Sequence, residues 1–568
     1  MKTNFKAMAL LCLLGASACK KSEIVQQQPE TPQLGAGNVQ LRLSGIVTTT
    51  YYVDDVNGND SNNGTSTATA WKTLTKVNAT TFTAGNQILF KAGGTWTGQL
   101  HPLGSGTSGS PIVIGRYGTG SRPVINGAGL VNAGAVYLSN QEYWEVTNLE
   151  ITNFNSTEEG VSLATWEANN TSNYANATLP AQYNNTNKLR YGVYIFSVNK
   201  GAVHHIYLHN LNVHGVNGGI NQNDSTKANG GIYFRSSGST TATWYDDILV
   251  DSCTIHDVDR IGMFFNSSWG TRTLTTNTSW TPSVNVVIRA NTFYNTGCNA
   301  LIVRVADHPL IEHNLFDHCA IKGSGNASFS YNTDYATWQY NESRYTKANV
   351  GDADAGGFDS DFDAKNTIIQ YNYSHDNDFG VLVTGGHDID DFNDGTVFRY
   401  NIIERDGITT QSGTGGKWIF KISGKATNTQ IYNNTFDIGS SQTGIRIVWH
   451  SVWGTYSAAN SYYYNNIIAN YGTSSSYALG ASTGNVFNYN AFYNNAATSQ
   501  PSQTNSITGN VKLTNPDVGD VNGYKLLTGS VALGTGTLIT GNGGWDFYGN
   551  SVSATTAPNV GCYNGAGL

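Results

Sequence analysis

The chain has 568 residues, of which only 12% are charged, and its 39 acidic residues outnumber 31 basic ones, so nucleic acid is an unfavourable partner. Sixty-four Gly and 32 Tyr against 11 Pro, with few Leu- and Ala-rich stretches at helical spacing, exclude a helical protein. They suit a repetitive β architecture that runs on as one unit.

Residues 1–18 place Lys2 and Lys6 before an apolar run ending in small residues, the pattern of an export leader rather than a membrane span. Ala16-Ser17-Ala18-Cys19 resembles a bacterial lipobox, which makes Cys19 the lipidated residue and residues 19–48, opening on Lys20 and Lys21, a polar tether. The expectation is an outer-membrane or cell-surface lipoprotein, or a periplasmic or secreted protein, that meets the membrane only through its lipid anchor. Removing residues 1–18 leaves 29 basic against 39 acidic residues. Past the leader and Cys19, only Cys253, Cys298, Cys319 and Cys562 remain, without metal-ligand spacing. They read as small buried hydrophobes, with a Cys298–Cys319 disulfide as the alternative that export would permit.

A short pattern then recurs in which alternating residues precede an Asn and an apolar or β-branched residue, as in "VIRANTF", "IEHNLF", "IQYNYS", "FRYNII" and "YYNNII". The shared Asn falls at 148, 210, 291, 314, 341, 372, 401, 434, 466 and 490, with Ser252 in the same register. From Asn291 the intervals are 23, 27, 31, 29, 33, 32 and 24 residues, a coil of variable length around a fixed core. An Asn stacked on itself at each corner passes amide hydrogen bonds along a ladder, while identical strands stack at about 4.8 Å per coil. The pattern is that of an all-β, single-stranded parallel β-helix.

On these motifs, on "YYVDDVNGNDSNNGTSTATAWKTL" near the start and on "DFYGN" and "PNVGCYNG" near the end, the chain resembles the right-handed parallel β-helix, or pectin-lyase-like, superfamily. "FDSDFDAKNTIIQYNYSHDNDFGVLV" most resembles its secreted bacterial glycosidases, in the family with α-L-fucosidase and xylanase members. The resemblance implies an N-terminal cap and first coils over 49–130, a β-helix over 131–510 with loop insertions at 154–190 and 323–355, and a closing coil and C-terminal segment over 511–568.

A second strand follows each Asn turn and aligns by a leading small residue: Gly192, Gly231, Gly262, Ala300, Ala320, Gly357, Gly380 and Gly444. The residue after the leader is apolar and faces the core, so the second and fourth positions face outward. Those positions hold Tyr194 and Phe196, Tyr233 and Arg235, Phe264 and Asn266, Ile302 and Arg304, Lys322, Asp359 and Asp361, Leu382 and Thr384, and Arg446; Lys421 joins them if its strand shifts by one. A merely solvated sheet face carries Thr, Ser, Asn and Lys without such clustering. Aromatic faces stack on sugar rings and Arg pairs with carboxylates, so the face reads as a groove for a polysaccharide or oligosaccharide, neutral or acidic. Tyr233, Arg235, Phe264, Asn266, Arg304, Lys322, His375, Lys421 and Arg446 are its expected substrate contacts, in a protein expected to act as a monomer.

"GGFDSDFDAK" puts Asp359, Asp361 and Asp363 at alternate positions. Glycoside hydrolysis needs one protonated and one ionised carboxyl, and two like charges on one strand face raise the pKa of one of them. Asp359 and Asp361 are the expected pair, with Asp376 a third candidate across the groove and His375 orienting it; corner chemistry is the alternative for Asp376 and Asp378. Asp352 and Asp354 read as loop residues or ion ligands. Hydrolysis needs no cofactor. The alternative is β-elimination from a uronate-containing glycan, with Asp363 and Asp378 joining the acids around Ca²⁺ and Lys421, Lys322 or Arg304 as base. A glycan-binding protein without catalysis is a third reading, one that does not require acids in the groove.

Overall fold

The computed structural model describes residues 47–170, 188–220, 227–413 and 415–568. The leader, Cys19 and nearly all of the tether lie outside the described residues. The chain is a right-handed parallel β-helix. Each coil adds one strand to a first sheet, running from Thr49–Val53 to Val486–Asn488, and each after the first adds one to a second, from Thr95–Thr97 to Ala491–Asn494; most then add a strand to a third, from Ala133–Ser139 to Ser476–Ala478. All three sheets are parallel ladders between successive coils.

Alternation builds the core. In the first sheet Ile88, Ile114 and Val146 lie in register, as do Ile288 and Ile311 further on and Tyr463 and Phe487 at the far end, all inward and buried. A parallel sheet offers no hairpin corner, so the turn from first to second sheet needs its polar groups satisfied another way. From Asn291 to Asn466, each Asn Nδ2 donates to the Oδ1 of the next Asn at 2.9–3.0 Å, and each backbone N–H to the same oxygen. Asn490 ends the series by donating to Gln503.

Asn148, Asn210 and Ser252 do not belong to that ladder. They occupy the preceding corner position, which takes the left-handed backbone conformation (φ +57°, +51° and +54°) in register with Ala290. Leu149, Leu211 and Cys253 stand where the later coils place Asn, and Cys253 N–H donates to Asn291 Oδ1 at 2.9 Å. Asn suits both neighbouring positions, since it tolerates left-handed geometry and also bonds along a stack, so sequence alignment merged them.

The helix Leu74–Asn78, N-capped by Thr73, packs Leu74 and Val77 with Trp71 and Phe82 over the first coils and covers the open end of the core. At the other end, residues 511–568 fold back along the outside rather than closing the coil. Val511, Leu526, Phe547 and Val560 pack on Tyr371, Tyr400, Tyr432 and Ile467. Residues 323–355 are not one insertion, because Ser328–Asp334, Thr337–Gln339 and Glu342–Arg344 are regular strands of the third, first and second sheets. Cys253, Cys298, Cys319 and Cys562 are buried free thiols, so the Cys298–Cys319 disulfide is not formed. No helix among the described residues is long and apolar enough to cross a membrane.

Candidate active site

The strand Phe358–Ser360 lies in the third sheet between Ser328–Asp334 and Val381–Thr384. Its register sets Asp359 beside Phe329 and Leu382, in the outward column that continues to Lys421 and Trp449. Phe358 points into the core and Gly357 has Ser374 Oγ only 2.6 Å from where a Cβ would stand, which explains the small leader. Past Ser360 the strand ends; Asp361 N–H donates to Ser330 O at 2.9 Å, and Asp361 Oδ1 accepts from Phe362 N–H at 2.9 Å. Asp354, on the segment leading into the strand, interacts electrostatically with both acids.

Asp359 is buried at 5% exposure, whereas Asp354 and Asp361 are half-buried. Asn326 Nδ2 donates to Asp359 Oδ2 at 3.0 Å and Thr384 Oγ1 to Oδ1 at 3.4 Å. Burial, then the charges of Asp361 and Asp354, nevertheless push its carboxyl well above the usual range. Asp361 is pushed up to about 7 by burial, against the Phe362 N–H, Arg304 and Lys227. Asp354 is raised by burial and opposed by Lys421 and Lys227. Lys421 is held below its ordinary value by burial, with its ammonium 4.5 Å from the Trp449 ring centroid. Burial thus raises all three acids, and the mutual repulsion of their charges keeps them from ionising together.

The other expected contacts divide. Tyr233 and Phe264 lie in the outward column but are buried at 3% exposure and stack on each other at 5.3 Å, so they offer no open face to a sugar. The open column beside them holds Phe196, Arg235, Asn266, Arg304 and Tyr331. Lys322 is not on this face: "AIKGSG" leaves the coil, and Lys322 is buried with its Nζ 2.6 Å from Asp259 Oδ1. The strand in its place is Ser328–Asp334, which contributes Tyr331. Arg446 reaches the rim from a different position. Lys421 pairs with Trp449 in register, so Trp449 takes the outward place and the Arg446 guanidinium covers it at 4.4 Å.

His375 ends the strand Tyr373–His375 of the second sheet and Asp376 follows it, so neither faces the acids from across the third sheet. Asp376 is bound by Arg405 at 2.8 and 2.9 Å and by His375 at 2.8 Å. These hydrogen bonds outweigh burial and hold it down to about 2, while burial of His375 is overcome by Asp376 and Glu342, which raise it to about 9. An acid so fully paired is architecture rather than a proton donor. Asp378 accepts from Ala348 N–H at 2.7 Å in a corner, and Asp363, whose backbone carbonyl accepts from Arg272, sits beside Tyr331 and Asp391. The acids expected around Ca²⁺ are therefore spread over separate corners. Among the described residues, the ligand groups that do come together are Glu167–His214–His256 and His387–Asp388–Asp391, and neither contains those acids. Beside Asp359 and Asp361 stand Asp354, which the sequence offers only as a loop residue or ion ligand, and Asn326, Lys227, Tyr331, Phe362 and Trp449, which the coil register does not single out.

No protein-family profile matches the chain. A lacto-N-biosidase of Bifidobacterium longum subsp. longum is 28% identical over 454 residues, 68% of this chain but 27% of that protein. The chain thus spans about a quarter of the length of the curated relative it matches. The native crystal structure of the GH136 lacto-N-biosidase from Eubacterium ramulus aligns with TM-score 0.51 and 24% identity, covering 68% of this chain and 64% of that one. Its selenomethionine derivative aligns with TM-score 0.53 and 23% identity, covering 72% and 68%. At that identity the likeness is one of fold.

Proposed function

We propose that the protein is a glycoside hydrolase acting on an oligosaccharide or polysaccharide laid along the third sheet. The observation that carries this reading is the group of three carboxyls that the strand Phe358–Ser360, its end and the segment leading into it bring into electrostatic contact, each raised by burial. Asp359 serves as general acid to the leaving glycosidic oxygen, and ionised Asp361 as the nucleophile or base. Asp354, beside Lys421 and Lys227, tunes Asp361. The similarity to a protein named lacto-N-biosidase supports the reaction class and makes a chromogenic lacto-N-bioside the first substrate to try. Export and lipid anchoring at Cys19 belong to the same proposal and rest on residues 1–48 alone.

Asp359→Asn and Asp361→Asn are each expected to lower kcat by roughly 10²–10⁴-fold, with unchanged circular dichroism. Because Asp361 must be ionised, activity of the unaltered protein falls as pH drops through about 7, not near 4 as for an ordinary carboxylate. Asp354→Asn removes a negative neighbour and moves that limb downward. Full activity in both of the first two variants overturns the reading. The depressed ammonium of Lys421 favours one second reading, β-elimination with Lys421 as base. Ultraviolet absorbance from an unsaturated product, lost in Lys421→Met, distinguishes it.

A further inference from the structure

We propose that the groove receives an anionic substituent of the glycan, a carboxylate or sulfate, on the guanidinium of Arg304, with Arg235 a second receptor further along. This rests on the glycan reading above but names a substrate class that reading does not require.

Most arginines of the chain are committed to protein oxygens. Arg190 binds Glu158, Arg272 binds Asp334, Arg344 binds Asp317 and Glu342, and Arg405 binds Asp376. Arg304 is different: among the described residues it donates to no protein oxygen from any of its nitrogens, whereas Arg272 and Arg344, whose Nε is likewise buried without a partner, spend their terminal nitrogens on acids. Its guanidinium instead lies 5.3 Å from the Phe264 ring centroid and 4.9 Å from that of Tyr331. Two rings flank the cation, and the residue is only half-buried. A planar cation held in this way, with its donors unspent, matches the geometry of a bidentate oxyanion.

The placement is consistent. Arg304 pairs in register with Tyr331, and Asp361 continues the coil after that, so the guanidinium's backbone lies two coils, roughly 10 Å, from the acids, about the reach of one or two sugar units. Arg235, exposed and two coils further on, follows the same column, with Asn266 between. Lys227, Lys421 and Arg446 add cationic charge around the acids in a chain of net charge −8. Burial raises the proton affinity of Asp359, which lessens its repulsion of an anion.

The test uses the full-length chain with Asp361→Asn to arrest turnover, and isothermal titration at low salt against matched pairs: tetragalacturonate and its methyl ester, and a sulfated chondroitin tetrasaccharide and its desulfated form. The expected result is that the member carrying the recognised anion binds roughly 10- to 100-fold more tightly than the twin that lacks that group, as charge-assisted hydrogen bonds give, with the ratio shrinking as salt rises. Arg304→Gln collapses the ratio and Arg304→Lys restores part of it. The pair that shows the effect separates a carboxylate from a sulfate. Failure of both the free tetragalacturonate and the sulfated chondroitin tetrasaccharide to bind more tightly than their twins overturns the proposal. So does an Arg304→Gln chain, otherwise unaltered, whose only change is an upward shift of the acidic limb of the pH profile, since Arg304 then acts as a partner of Asp361. Loss of charge preference with intact Asp359-dependent turnover sinks this inference alone, whereas charge preference without such turnover sinks the hydrolase reading alone.

Discussion

The buried carboxyl of Asp406 accepts three hydrogen bonds, from Asn377 N–H at 2.9 Å, Asn377 Nδ2 at 3.0 Å and Ser374 Oγ at 2.5 Å. It stands where the previous coil has Asn377, whose own Oδ1 accepts from Thr346 N–H at 3.0 Å. Burial pushes Asp406 up to about 7, against these donors and His375. A carboxyl raised in the fold favours folding most when both states are protonated, below about 4, and that contribution is lost as pH rises through about 7. Asp406→Asn continues the amide series and removes the charge. The variant is therefore expected to melt above the parent at pH 8.5 and no higher than it at pH 5, with a difference of a few kcal/mol at most. A thermal unfolding pair at each pH measures this, and comparison with the parent cancels Asp437, which titrates in the same window. A constant difference at both values would show that Asp406 is already ionised in the fold.

At the scale of the element, the asparagine ladder is what lets a coil turn from the first sheet to the second. Asn401 Oδ1 accepts from Asn372 N–H at 2.8 Å and Nδ2 at 3.0 Å, while its own amide donates to Ile369 O, Arg399 O and Asn434 Oδ1. Asn401→Leu leaves Asn372 N–H buried without an acceptor, and is expected to cost about 2–4 kcal/mol in denaturant unfolding. A loss below about 1 kcal/mol would mean that packing alone replaces the ladder, as Leu149 and Leu211 manage in the first coils. The ladder was legible because each coil repeats the same local solution. Its register was blurred at Asn148, Asn210 and Ser252, because the corner one residue earlier selects the same side chains for a different reason. The acid strand was legible because Gly357 and Phe358 answer to the same steric rule as their neighbours. Lys322 misled because a leader, an apolar residue and a Lys can occur outside a strand, and Arg446 because the strand Arg446–Ser451 carries an irregular register beside it. Asp354 belongs to no repeat, so only the folded chain brings it to Asp361.

For the whole molecule, a solenoid gains stability from neighbouring coils, so its long outer face must be either polar or covered. Here residues 511–568 cover it. Tyr524 Oη donates to Asp437 Oδ2 at 2.7 Å, Arg399 to Gly541 O at 2.6 Å and Asn433 Nδ2 to Asn559 O at 2.8 Å, tying the segment across several coils. Between these ties, Tyr371, Tyr400 and Tyr432 are buried against Val511, Leu526 and Val560. A chain ending at residue 510 keeps its coil-to-coil hydrogen bonds and the Gln503 end of the ladder, but exposes this aromatic strip. Each large side chain returned to water costs about 1.5–3 kcal/mol. The truncated protein is expected to retain its β-sheet circular dichroism in the cold, to melt more than about 5 °C lower and to self-associate on warming. The acids lie on the third sheet, whereas the strip lies along the first and second, so turnover per folded molecule at low temperature should survive the truncation. If turnover vanishes while the circular dichroism is retained, the segment acts on the groove through the body of the solenoid, and the separation between the covered face and the working face fails.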